Sequence, residues 1–180
     1  EQGIYVQERR LPPGTAGCFD GVSAMMNSDY EIGERLFYLV HAFGSIVCCS
    51  RGQEMQEMFD GLRLAKENRQ QDPEMLERMI VRYCELEIRS SEYAVWLLNE
   101  LGFASVVPAY TNFMRADVQS MTQFHRNGIA PVWKTFFEQW NREVENGSRV
   151  VQPFEPRRIV DFRPRRIRMQ EILQEQPKSA

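Results

Sequence analysis

The segment from Tyr30 to Ser50 restricts the fold more than any other part of the chain. It reads YEIGERLFYLVHAFGSIVCCS, and Leu36, Val40 and Val47 lie on one side of the helix that its spacing predicts. Such a helix must bury its apolar stripe against other elements. We therefore expect the rest of the chain to be organised around this helix.

One residue in this helix is out of place in an apolar run. His41 lies in the middle of it, and Ser45 follows four residues later, over the same patch of helix surface. A histidine in such surroundings needs either a hydrogen-bond partner or a metal. The sequence leaves both open: His41 is a core residue bonded to another side chain or to a backbone carbonyl, or it is a ligand.

Length and composition indicate a single globular domain. The chain has 180 residues, of which 43% are hydrophobic and 26% charged. Its net charge of −3 gives no overall bias toward nucleic acid or an anionic membrane, and no apolar run reaches the roughly 20 residues that span a bilayer. The cysteines contain no C-x-x-C pair, so we expect reduced thiols and a cytoplasmic location.

The order of elements predicts a mostly helical α+β fold. A β-prone run at 4–6 and a hairpin turning at Asp20-Gly21 predict a small N-terminal antiparallel sheet, packed on four to five helices. The helices are expected at 30–50, 53–69, 73–101, 108–127 and 131–146. His125, near a helix end, is expected at the surface or in a capping role. We assign 1–148 to one domain and 149–180 to an Arg/Pro-rich arm.

The stretch LPPGTAGCFDGVSAMMNSDYEIGERLFYLVHAFGS resembles the start of ImmA/IrrE-type zinc metallopeptidase domains. In that family a Leu-Pro-x-Gly turn and a hairpin lead into a helix of the form F-x-x-x-H-E-x-G-H, and Phe37, His41 and Gly44 match it. The family's later E-x-x-A-x-x-F-A-x-x-L-L element resembles residues 87–98. The resemblance covers roughly residues 11–50 and 84–101. It implies a zincin-like fold, with the third zinc ligand at Glu87.

Two positions that carry the chemistry of that family differ in this chain. The H-E-x-x-H pattern places two imidazoles on one metal and a carboxylate beside the bound water. In this chain Ala42 stands at the position of the water-activating acid, and Ser45 stands at the position of the second histidine. His41 and Glu87 would form only a vestigial two-ligand metal site. We assign no catalytic residue and expect no cofactor, with zinc bound only if an unrecognised water, cysteine or carboxylate completes the site.

These observations favour a degenerate metallopeptidase-like domain, a pseudoenzyme with a regulatory or protein-interaction function. Two alternatives stay open: a zinc-dependent peptidase with a non-standard metal site, and a structural component of an oligomer or assembly. The partner is expected to be a protein or a second copy, because the chain has no RNA- or DNA-binding signature and no membrane segment. The candidate interaction residues are Trp133, Trp140, Arg157, Arg158, Arg163, Arg165, Arg166 and Arg168.

Overall fold

The computed structural model describes residues 5–11, 17–19, 23–49 and 53–159. The strands are β1 (Tyr5–Arg9), β2 (Gly17–Phe19) and β3 (Ser23–Asn27). The helices are α1 (Ile32–Cys49), α2 (Gln53–Glu67), α3 (Pro73–Glu100), α4 (Val107–Asn127) and α5 (Trp133–Glu145), with a short 3-10 turn at Ala104–Val106. The predicted mostly helical α+β class and the five helices are confirmed. The predicted turn at Asp20-Gly21 lies outside the described residues.

The sheet is mixed, so the prediction of an antiparallel sheet was wrong. Its strand order is β1-β3-β2, with β2 antiparallel and β1 parallel to β3. β3 takes the centre because Ala24 and Met26 are buried, whereas β1 is exposed at four of its five positions. The short link between β2 and β3 requires an antiparallel pair, whereas residues 10–22 are long enough to bring β1 and β3 together in parallel.

Helices α1 and α3 pack closely at one point, where Gly44 meets Ser90. A Cβ atom on Gly44 would lie 2.8 Å from the carbonyl carbon of Ser90 and closer still to its oxygen. Ser90 and the neighbouring Ser91 are both fully buried and lie within an unbroken α3. Small residues on both helices therefore let the two backbones approach each other, and this contact sets the distance between the side chains around it.

The ends of α3 and α4 follow the signals in the sequence. The Asp72 carboxylate accepts a hydrogen bond from the backbone N–H of Met75 at 2.8 Å, and Pro73 occupies the first helical position. Helix α4 ends at Gly128, whose φ of 78° is in the left-handed region that glycine adopts without strain. These local interactions explain why both helices begin and end close to the predicted residues.

Two groups of buried side chains hold the helices together. The larger lies between α1, α3 and α4 and includes Val40, Leu98, Phe113 and Phe154, while the smaller joins α2 to α3. Phe154 is only 3% exposed although it follows the last helix, so the extended segment 149–159 packs on the domain. Within the described ranges, no helix combines the length and apolarity needed to cross a bilayer.

Candidate functional site

The structure brings His41 of α1 and Glu87 of α3 into direct contact. The Nε2 atom of His41 lies 2.8 Å from Oε2 of Glu87, and the two side chains are 12% and 16% exposed. The residues are separated by 46 positions in the sequence, and the close approach of Gly44 to Ser90 positions their helices. Their meeting is the contact that the interpretation of His41 as a core residue requires.

The second nitrogen of His41 faces two hydroxyl groups. Its Nδ1 atom lies 3.4 Å from the Ser91 hydroxyl and 3.4 Å from the Tyr110 hydroxyl. The Ser91 hydroxyl donates at 2.9 Å to the backbone carbonyl of Glu87, so its oxygen is free to accept from Nδ1–H. Both sides of the imidazole therefore lie within reach of polar groups supplied by α3 and α4.

The charges in this network favour an ionised pair. Burial lowers the pKa of His41, but the hydrogen bond and the charge of Glu87 outweigh it, and the net pKa is raised. Burial likewise raises the pKa of Glu87, whereas hydrogen bonds from His41 and Tyr83 lower it, and its net pKa is lowered. Asp117 lies close enough to be influenced by both, and burial raises its pKa to about 6. The network thus contains one cation and one anion, with a second acid that resists ionisation.

These residues do not fit the zinc site of the resembled family. The Ser45 hydroxyl, at the position of the second histidine, donates to the backbone carbonyl of His41 at 3.1 Å. Tetrahedral zinc holds its ligand atoms roughly 3.4 Å apart, so His41 and Glu87 would have to separate to admit it. Among the described residues, no group of three or more His, Cys, Asp or Glu side chains is arranged to hold a metal ion. We therefore assign no chemical step to zinc in this chain.

Comparison of the chain with protein-family models, curated proteins and solved structures finds no match. The resemblance to ImmA/IrrE-type peptidases and the zincin-like fold consequently stay predictions. The function has to be argued from the geometry of the chain itself.

Ser91, His41 and Glu87 are also the three residue types of a catalytic triad, and they lie next to one another in this order. A nucleophile must be reachable by a substrate, and its base must be free to take the proton. Ser91 is 0% exposed, as is Tyr110 beside it, and the Ser91 hydroxyl is bonded to the backbone of its own helix. The arrangement in this conformation is a buried hydrogen-bond network that links α1, α3 and α4.

The two candidate tryptophans lie mainly within the chain. Trp133 stacks on Phe137 and contacts Phe113 edge-on, next to the larger core. Trp140 is 6% exposed, donates its indole N–H to the Asn112 side chain at 2.8 Å and lies under the Arg149 guanidinium. Most of their surface is thus engaged with the chain itself, and their role in binding a partner stays a prediction.

Only the first part of the arginine-rich arm is described. Arg157 pairs with Glu92 at 2.8 Å and lies over the Tyr93 ring, which fastens the segment to α3. Arg158 is exposed. The remaining candidate arginines, Arg163, Arg165, Arg166 and Arg168, lie outside the described residues.

A groove between α4, α5 and residues 149–152 contains further cations that the sequence did not single out. It has a volume of about 510 Å³, and Arg115, Arg126, Arg149 and Trp140 line it. Arg126 and Arg149 are paired with Glu77 and Glu143. Arg115, Gln119 and Arg126 follow each other on one side of α4 at helical spacing, a pattern that was visible in the sequence. The contact of Tyr110 with His41, and the influence of the Asp117 charge on His41 and Glu87, had no such signal.

Proposed function

We propose that this chain is a non-catalytic, metallopeptidase-like domain whose function is to bind a protein partner. The observation that carries the proposal is the closed network around His41. Glu87 occupies one side of the imidazole, and two buried hydroxyl groups lie near the other. A histidine used in this way stabilises the packing of helices and is not available to activate water or a nucleophile.

The geometry favours the groove beside α4 as the surface for this partner. Its volume of about 510 Å³ is within the range typical of binding clefts, and two of its three arginines, Arg115 and Arg126, lie along one side of α4. Arg115 and Arg126 are eleven residues apart, which at 1.5 Å per residue is roughly 16 Å along α4. An extended peptide of about five residues would span that distance.

The charge of the groove supports an acidic peptide as the ligand. Three guanidinium groups line it, whereas the two carboxylates paired with them, those of Glu77 and Glu143, are not among its lining residues. The Arg126–Glu77 pair is exposed, so solvent screens it and a carboxylate of a partner can compete for Arg126, whereas the Arg149–Glu143 pair is more deeply buried. Planar guanidinium groups also match carboxylates in bidentate geometry.

The non-catalytic part of the proposal is tested by measuring metal in the purified chain. We expect zinc well below one atom per chain, and a melting temperature that neither added zinc nor a chelator changes. Stoichiometric zinc that is lost in His41→Ala and retained in His125→Ala would overturn the proposal. That result would favour the alternative of a peptidase with a non-standard metal site.

The binding part is tested with a fluorescently labelled penta-glutamate peptide and the full chain. We expect saturable binding that weakens with added salt and is lost in the double variant Arg115→Gln/Arg126→Gln. Arg78→Gln is the matched control, because Arg78 is exposed on α3 and is absent from the groove. Equal binding by the double variant and the control, or equal binding of a penta-glutamine peptide, would contradict the proposed surface.

A further inference from the structure

A second cavity lies between α2, α3 and α4, on a different set of residues from the groove. It has a volume of about 260 Å³, and its walls include Phe59, Leu62, Tyr83 and Met121. These are mainly apolar surfaces, and the volume is just below the range for drug-sized ligands. The cavity is therefore suited to a guest with one ring or a short branched chain.

His125 borders this cavity, and its side chain lacks hydrogen-bond partners among the described residues. The residue is 5% exposed, so the expectation that it lies at the surface was wrong. Neither of its ring nitrogens has a hydrogen-bond partner in the described part of the chain, and both are shielded from solvent. Its ring packs edge-on against Tyr83 at 4.7 Å and beside Phe124 at 5.3 Å. Buried polar groups are almost always bonded, so this side chain indicates a missing partner.

The charged residues around the cavity are cations. Lys66 and Arg63 line it, and no acid is among the lining residues that the structure describes. The Lys66 ammonium lies 4.9 Å from the centre of the Phe124 ring, and no carboxylate of the described residues lies within ion-pair distance of it. Arg63 by contrast is flanked by Asp60 and Glu67 on the exposed side of α2. The cavity thus offers one unpaired positive charge beside an unpartnered imidazole.

We propose that this cavity binds a small carboxylate with an apolar body. The apolar part lies against Leu62, Met121 and the Tyr83 ring, and the carboxylate lies between Lys66 and His125. The carboxylate neutralises the ammonium and accepts a hydrogen bond from the imidazole N–H. The site shares Tyr83 with the network around His41, because Tyr83 also hydrogen-bonds Glu87, but it does not depend on the function proposed above.

The protonation of His125 is compatible with this assignment. Burial, and then the Lys66 ammonium, lower its pKa to about 4, and the charge of Glu87 raises it by less. At neutral pH the ring is therefore uncharged, with one N–H to donate. The torsion about the Cβ–Cγ bond of histidine has a broad distribution without sharply separated rotamers. Both nitrogens are shielded in this conformation, so binding requires the ring to turn and the flexible Lys66 side chain to move.

The chain contains only two histidines, which makes the test direct. We would record the imidazole signals of the ¹⁵N-labelled full chain by NMR while adding benzoate, with benzyl alcohol and benzylammonium as probes of the same size. We expect benzoate to shift the His125 signals saturably and to shift those of His41 much less, with weaker binding of benzyl alcohol and none of benzylammonium. Binding of all three with equal affinity, or no saturable shift with benzoate, would overturn the proposal.

Two variants identify the groups that hold the carboxylate. Lys66→Met should weaken benzoate binding about fivefold, the effect of losing one solvent-accessible charge pair. His125→Phe should weaken benzoate binding strongly, because it removes the N–H donor and keeps a ring of similar size in the wall. Lys134→Met is the control, since Lys134 is exposed on α5 and absent from the cavity. Unchanged benzoate affinity in Lys66→Met would refute the assignment even if His125→Phe did not fold.

Discussion

The close contact of α1 with α3 makes Gly44→Ala a severe test of the fold. A Cβ atom at this position would lie 2.8 Å from the carbonyl carbon and 3.1 Å from the Cα of Ser90. Ordinary contact begins near 3.4 Å, so the carbonyl carbon alone requires a separation of 0.6 Å, the difference between 3.4 and 2.8 Å, and the carbonyl oxygen, which lies closer, requires more. The obstacle is the backbone of a fully buried residue, which cannot rotate away as a flexible side chain can.

The cost follows from what that separation would disturb. Forcing an extra methyl group into a packed core costs typically about 1–3 kcal/mol, and we expect the upper end because two helix backbones must move. Replacing glycine by alanine within a helix regains up to about 1 kcal/mol, which is too little to offset the clash. The same movement pulls His41 away from Glu87 and weakens a buried hydrogen bond. We therefore predict a net loss of roughly 2–3 kcal/mol in the free energy of unfolding.

Urea denaturation of three glycine variants measures this effect with internal controls. Gly33→Ala lies on the same helix with nothing within 4 Å, so it should be neutral or slightly stabilising. Gly61→Ala would meet the terminal methyl of Met79 at 2.7 Å, which a rotamer change can relieve, so its cost should be intermediate. If Gly44→Ala is as stable as Gly33→Ala, then α1 and α3 do not approach as described. The contact between His41 and Glu87, which depends on that approach, would then be wrong as well.

Three further predictions concern buried polar or charged side chains, and urea denaturation can check each of them. Glu87→Gln should cost about 3–5 kcal/mol, because His41 is left without its anion, whereas His41→Leu/Glu87→Met should cost less than the sum of its single changes. Because burial raises the pKa of Asp117 from 3.8 to about 6 in the folded chain, the unfolded chain releases this proton first, and stability is lost as the pH rises from about 4 to about 6. Asp117→Asn should therefore stabilise the chain by up to about 3 kcal/mol at pH 8 and by nothing below about pH 4. His125→Phe should stabilise the free chain by about 1 kcal/mol or more, because it removes two unsatisfied nitrogens; a loss of stability would show that they have partners.

The helices were predictable because their signals are local. Apolar spacing, the cap at Asp72 and the stop at Gly128 each act within a few residues, and all five helices begin and end within about two residues of their expected bounds. The sheet was predictable only in part. A short link determines the direction of β2 relative to β3, but the position of β1 depends on competition between strands for the buried centre.

The contacts around the site depend on tertiary packing, so the sequence predicted some of them and missed others. His41 and Glu87 were paired through the resemblance, and they meet as expected. Tyr110 and Asp117 reach the same network from α4, and nothing in their local sequence indicates it. The placement of His125 was wrong because a residue near a helix end is usually exposed, whereas here α2 and α3 cover it.

The three matching positions of the peptidase-like helix each have a packing role in this chain that requires no metal. Phe37 contacts the rings of Tyr110 and Phe113, His41 is bonded to Glu87, and Gly44 admits the backbone of Ser90. A helix packed on α3 in this way would favour these residue types whatever its ancestry. The match therefore does not distinguish a former zinc site from an independent solution to the same packing problem. Alanine at position 42 and serine at position 45 fit both histories, because a site that lost zinc and a site that never held it would both lack the acid and the second imidazole. In either case Glu87 is the carboxylate that, among the described residues, lies against the imidazole.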